Sequence, residues 1–328
     1  MNRAFSFVVT ALALSSSLLS SACFDLDSFV MNPTHCSVGY TDDQCTLKKM
    51  CTPCDEAYPF ADFGLPADTA TRHPIELADG ERNDAWFFPA GADGPLSGTD
   101  VTIVFSHGNF GSLEHYLNRV GLLWATGANV FAVDYRGFGQ SSSTAEATEA
   151  EFMDDARRAW AFVPDVLAAH GLDPAQPLAI YGYSAGALSA VEMAVAELSD
   201  PEVAGPCTLI LEAPWPSAQR FTDDSSFIGV PGSFVTTGAW DNITKLQHYS
   251  RPYLQLHGVV DLTVRVELGR EVFDVVESPD KQLVEVAGAA HGNYLFVDED
   301  TVERDVPAVL GEAEYRDLLV RQIGNDCR

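Results

Sequence analysis

Four short stretches of this 328-residue chain carry side chains whose types and spacing suit acyl chemistry. The first is Gly182-Tyr183-Ser184-Ala185-Gly186, entered from the apolar run Pro177–Tyr181 and left through a helical pattern over 187–198. A strand turning sharply into a helix with serine at the corner lifts the hydroxyl above the sheet, and the flanking glycines permit the tight backbone. So short a pattern also arises by chance, so Ser184 carries weight only with the partners a nucleophilic serine needs. Those are a base to take its proton, an acid to orient the base, and donors for the developing oxyanion. His291, in Ala289-Ala290-His291-Gly292-Asn293, follows the apolar run Gln282–Val286 and suits the base. Asp261, in His257-Gly258-Val259-Val260-Asp261, follows the run Pro252–Leu256 and suits the orienting acid. Its rival Asp274 falls inside a helical pattern, and Asp298 and Asp300 come only after His291. For the oxyanion, one backbone N–H comes from Ala185 at the start of its helix. The other is expected from Asn109 in the loop Ser106-His107-Gly108-Asn109-Phe110-Gly111. Because the backbone supplies that bond, Asn109→Ala is expected to cost little.

The elements that must hold these residues alternate regularly from about residue 73. Pro74–Leu77 and Ala85–Pro89, separated by Ala78-Asp79-Gly80, form a hairpin pattern. Continuous apolar runs follow at Val101–Phe105, Asn129–Asp134, Leu178–Tyr181, Thr208–Leu211, Pro252–Leu256 and Gln282–Val286, the kind a sheet covered on both faces contains. Helical patterns lie between them at 113–124, 148–170, 187–198 and 266–276, with a last one at 312–323. Thr148 with Glu151 forms a capping-box pattern, and Pro164 is expected to kink or break the helix it opens. This alternation predicts an α/β fold: a mostly parallel, doubly wound sheet of eight strands that begins with an antiparallel hairpin.

Together the motifs resemble the serine hydrolases of the α/β-hydrolase superfamily, near its short-lidded lysophospholipase-like and depalmitoylase-like branches. Four carry the likeness over roughly residues 73–328: His107–Gly111; Asp134-Tyr135-Arg136-Gly137-Phe138-Gly139-Gln140-Ser141; Gly182–Gly186; and His257-Gly258 with Asp261, followed by His291. The chain order Ser184, Asp261, His291 is the order of that superfamily. The resemblance implies an α/β-hydrolase fold with an eight-stranded sheet flanked by helices and a short lid at about 213–250. It also implies hydrolysis of carboxylic esters, with thioesters and peptides less favoured, through an acyl-enzyme on Ser184 and without metal or organic cofactor. A small acyl compound is the expected partner. Two departures touch loop geometry: Ser143 stands where the second motif carries Gly, and Val264-Arg265 where the acid is often followed by Val-Pro. Asp134, Arg136, Gly137, Gly139, His107 and His257 are expected to be structural, with Arg136 tying strand ends together. His115, His170 and His248 are expected at the surface or satisfied locally. Trp215, Phe221, Phe227, Phe234 and Trp240 either line an acyl pocket or pack the lid onto the core. Competing readings are a surface-anchored hydrolase-fold binding protein without turnover, a serine peptidase and an acyltransferase.

The first 22 residues form an export-signal pattern, with Arg3 before an apolar, serine-interrupted run from Phe5 to Leu19. Ser20-Ser21-Ala22-Cys23 resembles a bacterial lipobox, with Ser20 where leucine is usual. It implies lipidation of Cys23 and an exported, membrane-anchored protein; ordinary cleavage near Ala22 would give a secreted one. Setting Cys23 aside leaves six of the seven cysteines, an even set that suggests up to three disulfides with 15 possible pairings. We expect two bridges within the Cys-rich segment 36–72 and a Cys207–Cys327 bridge, a zinc site at Cys51 and Cys54 being the alternative. The formal net charge of −28 argues against nucleic acid and anionic membrane surfaces as partners.

Overall fold

The computed structural model describes residues 60–66, 70–91, 93–109, 111–142, 147–200, 203–225, 238–291 and 310–327. The export and lipidation segment with Cys23, the cysteines at 36–54, Ser143, Phe227, Phe234 and the lid residues 226–237 lie outside them.

Eight strands form one sheet in the order β1-β2-β4-β3-β5-β6-β7-β8. They are β1 (Thr71–Glu76), β2 (Arg82–Phe88), β3 (Thr102–Ser106), β4 (Asn129–Asp134), β5 (Leu178–Tyr183), β6 (Thr208–Glu212), β7 (Tyr253–Gly258) and β8 (Lys281–Val286). β2 pairs antiparallel with both β1 and β4, and all other pairs are parallel. This is the mixed sheet that the apolar runs predict, with β2 alone running against the rest. The helices are α1 (Leu117–Trp124), α2 (Glu149–Ala169), α3 (Gly186–Ala194), α4 (Ala196–Ser199), α5 (Ala218–Ser225), α6 (Ile243–Leu246), α7 (Val266–Val275) and α8 (Glu312–Asp326).

Period-2 side-chain alternation splits the core into two layers. Ile103 and Phe105 of β3 pack with Leu117, Val120, Leu319 and Ile323 of α1 and α8. Val104, between them, faces the opposite layer with Trp160, Val163, Val191 and Val272 of α2, α3 and α7. Each fully buried side chain of this kind contributes about 1.5–3 kcal/mol relative to exposure, which fixes β3 and β5 at the centre of the molecule.

The capping box at the start of α2 forms: the Thr148 N–H donates to Glu151 Oε2 at 2.9 Å, and the Glu151 N–H donates to Thr148 Oγ1 at 3.3 Å. Contrary to a break, α2 continues through Pro164. Its neighbours Val163, Val166 and Leu167 are buried against the sheet, and that packing outweighs one missing N–H. The single helix expected over 187–198 is instead two, α3 and α4, parted at Val195. Cys207, just before β6, and Cys327, just after α8, form a disulfide with Cα atoms 5.1 Å apart, as expected.

Candidate active site

Ser184 follows β5 directly and adopts φ 52°, a left-handed conformation for a residue with a side chain. Such a residue costs on the order of 1–3 kcal/mol and persists only where its surroundings over-determine it. Here its N–H donates to the Glu212 carbonyl at the end of β6 (2.8 Å), and its carbonyl accepts from Ala187 N–H (3.0 Å). The following glycine is demanded by packing. A Cβ on Gly186 would lie 2.2 Å from the Ser106 carbonyl oxygen and 2.5 Å from that of His107, so any side chain there would drive the elbow away from the loop after β3.

The turn after β7 places Asp261. Its Oδ1 accepts from the N–H groups of Thr263 (2.9 Å) and Val264 (2.8 Å), which fixes the carboxylate plane. Oδ2 is left facing His291 Nδ1 at 2.7 Å, and His291 Nε2 lies 2.9 Å from Ser184 Oγ. A carboxylate only accepts, so Nδ1 carries the hydrogen and Nε2 accepts from the serine hydroxyl. Asp261 is 3% exposed, so its charge acts in a low-dielectric setting. The structure therefore brings Ser184, Asp261 and His291 into one hydrogen-bonded line, whereas Asp274 lies exposed in α7. Arg265 has φ −59° and ψ 143°, a backbone that proline also adopts, so its departure from Val-Pro leaves the turn intact.

Of the two backbone donors expected for an oxyanion, Ala185 stands at the N-cap of α3 and is buried. Asn109 lies partly exposed in the loop after β3, which Gly186 brings against the elbow. Tyr135 Oη steadies that loop by donating to the His107 carbonyl at 2.8 Å.

The residues expected to be structural occupy framework positions. Asp134 Oδ1 accepts from Leu113 N–H at 2.7 Å, and a Cβ on Gly139 would stand 2.0 Å from Asp134 Oδ2. Arg136 forks onto Asp155 with two bonds of 2.9 Å and also bonds Asp79, so it ties the loop after β4 to α2 and to the hairpin turn. His257 Nε2 donates to the Val264 carbonyl at 2.8 Å, holding the turn around Asp261, and burial lowers its pKa. His170 meets His73, their Nε2 atoms 3.1 Å apart.

Trp215, Phe221 and Trp240 are buried in one apolar cluster with Tyr135, Phe138, Ala185 and Leu188. Glu149 receives the N–H groups of Ala239 (2.8 Å) and Trp240 (2.7 Å), fastening the far end of this segment to α2. These three aromatics pack the described part of the lid onto the body of the protein.

Sequence reasoning missed a group beneath the elbow. Arg119 Nη1 lies 2.6 Å from Glu212 Oε2, and Tyr181 and Tyr315 hydroxyls reach the same oxygen, the latter at 3.1 Å. The Arg119 guanidinium carbon sits 3.8 Å from the centroid of the Tyr183 ring. Burial works against the Arg119 charge, but Glu212 together with Tyr181, Tyr183 and Tyr315 outweighs it and holds the pKa well above the usual arginine value. The signal available was Arg119, the one arginine or lysine of the helical pattern 113–124, and Glu212, the charge immediately after the apolar run 208–211.

The eight-stranded sheet with its flanking helices is an α/β-hydrolase fold. A family model described as serine aminopeptidase, S33, matches residues 98–224. The uncharacterized protein YfhR of Escherichia coli K12 is 27% identical over 215 residues, 65% of this chain and 70% of that protein. Human α/β hydrolase domain-containing protein 17B is 29% identical over 217 residues, 61% of this chain and 67% of that one. Among solved structures, the esterase Pf2001 of Pyrococcus furiosus superposes with a TM-score of 0.59 at 17% identity, covering 85% of this chain and 99% of its own. Thermogutta terrifontis esterase 2, phosphoramylated by tabun, gives 0.57 at 20% identity, covering 80% and 97%. These likenesses support an α/β-hydrolase superfamily member.

Proposed function

We propose that this chain is a serine hydrolase that cleaves carboxylic esters through an acyl-enzyme on Ser184. The observation that carries the reading is His291 standing between Ser184 Oγ at 2.9 Å and Asp261 Oδ2 at 2.7 Å. Ser184 attacks the carbonyl carbon while His291 Nε2 takes its proton, and Asp261 stabilises the imidazolium that forms. The N–H groups of Ala185 and Asn109 hold the oxyanion. Collapse of the tetrahedral adduct expels the alcohol, which takes the proton from His291. Water, activated by the same imidazole, then releases the acid. A serine nucleophile suits esters, thioesters or amides.

The matching family model is described as a serine aminopeptidase, and that match favours amides as a second reading. Fluorophosphonate labelling tests the nucleophile: wild type labels and Ser184→Ala does not, whereas equal labelling of both ends the proposal. A panel of p-nitrophenyl esters of graded chain length, run beside aminoacyl p-nitroanilides, separates the two substrate classes. We also propose that Cys23 is lipidated and anchors the exported protein to a membrane, on the strength of the Ser20–Cys23 pattern. Mass measurement of the mature N-terminus tests it, and an unmodified start other than Cys23 removes it. Among the described residues no helix is long and apolar enough to cross a membrane.

A further inference from the structure

We propose that the buried Arg119–Glu212 pair is a positioning device for this reaction, aiming Ser184 through the Glu212 peptide and His291 through Tyr183. The inference rests on the serine-hydrolase reading and adds residues that never touch the reacting atoms.

Glu212 does two things at once. Its carbonyl accepts the Ser184 N–H at 2.8 Å, the bond that pins the strained elbow to the neighbouring strand. Its carboxylate is gripped by Arg119 at 2.6 Å, by Tyr181 and by Tyr315 at 3.1 Å, with no side-chain exposure. The next residue, Ala213, turns away with φ 49°, so the peptide that holds Ser184 sits at a bend whose inner side chain is locked. On the other flank, the Arg119 cation lies against the Tyr183 ring at 3.8 Å. Tyr183 Oη donates to the His291 carbonyl at 3.1 Å, and its ring stands 5.4 Å from the imidazole. Nucleophile and base are each one step from the same guanidinium.

A purely structural role does not account well for this choice. Replacing a buried ion pair by well-packed apolar groups is often neutral or stabilising for a fold. What the pair supplies is direction: a planar guanidinium and fixed donors define where a carboxylate must lie, as apolar packing does not. Small displacements matter here, because misplacing a reacting group by about 1 Å costs on the order of 100-fold in rate.

The test uses the full chain, with steady-state p-nitrophenyl ester kinetics and the rate of fluorophosphonate labelling read at a temperature where melting curves show each variant folded. Arg119→Met is expected to lower kcat and the labelling rate by about 10- to 100-fold with KM changed less than about twofold. Arg119→Lys, which keeps the cation, recovers part of that loss. Tyr183→Phe keeps the ring and loses only the bond to His291, and is expected to lower both rates about three- to tenfold. Should Arg119→Met fail to fold, Arg119→Lys and Tyr183→Phe carry the test. Folded variants that label at the wild-type rate overturn the inference and leave the serine hydrolase standing. A wild type that labels no better than Ser184→Ala overturns the parent reading and this one with it.

Discussion

Among the described residues two buried arginines bond carboxylates, in different parts of the fold and with different consequences. Arg136, just after β4, grips Asp155 of α2 and Asp79 of the hairpin turn. All of these partners are framework, and Asp79 is 44% exposed. Arg119, in α1, grips Glu212 at the end of β6, and both side chains are sealed from solvent at 6% and 0% exposure. The chemistry is the same, yet only the second knot holds a carboxylate whose own backbone carbonyl accepts the N–H of Ser184. On the proposed reading, one charge pair fastens layers and the other aims a reacting group. What decides is the neighbour of the acid, not the pair itself.

The largest effect expected on either side is at the reacting end of the Arg119 knot. Ser184→Ala should lower kcat on the order of 10⁴- to 10⁶-fold, by analogy with removal of a serine nucleophile elsewhere, and urea midpoints should show its fold intact. Next is the disulfide. Closing a loop of 120 residues between Cys207 and Cys327 is worth about 4–5 kcal/mol in the chain-entropy account. Cys207→Ser combined with Cys327→Ser should therefore lower the free energy of urea unfolding by up to that amount. Because Cys327 follows α8, which carries Tyr315, activity of the folded double variant should fall as well.

Arg136→Met sharpens the contrast from the other side. It leaves Asp155 buried without its partner, which costs about 3–5 kcal/mol of stability, while kcat of the protein that remains folded should stay within about twofold of wild type. A large drop in kcat with little loss of stability would erase the distinction between the two knots. The smallest effect is on acid tolerance. Burial holds the His257 pKa below its ordinary 6.5, so the folded protein takes up that proton less readily than the unfolded chain. Stability is therefore fullest above pH 6.5 and falls on acidification toward the lowered value. Unfolding midpoints at pH 7.5 and 5.5 should show a smaller difference in His257→Asn than in wild type.

Much of this architecture was legible in the letters, for a physical reason. Strands buried on both faces are continuous apolar runs, and candidate reacting residues of an open parallel sheet stand at the ends of such runs. That rule singled out Ser184, Asp261 and His291, which the fold brings within hydrogen-bonding distance of one another. The Arg119 knot was not, because its members are single charged or phenolic side chains with no periodicity between them. Arg119 and Glu212 lie 93 positions apart, and Glu212 and Tyr315 another 103. Only the sheet order, which sets β6 beside β5, and the return of α8 across that layer bring them together. The passage of α2 through Pro164 was hidden differently: local propensity argued for a kink or a break, and the helix runs unbroken where the residues around the proline are buried.

The ring closed by Cys207 and Cys327 also bears on the order in which this molecule can become competent. Glu212, Asp261, His291 and Tyr315 lie inside the ring, whereas Ser184 and Arg119 lie outside it. Ser184 and Arg119 are therefore synthesised first, and Glu212, Asp261 and His291 follow together in the stretch the bond encloses. Contacts of such long sequence separation form late, because loop entropy opposes them until the intervening chain has folded. On the proposed serine-hydrolase reading, reactivity of Ser184 toward a fluorophosphonate should accordingly lag behind secondary structure during oxidative refolding, making that labelling a reporter of the last step.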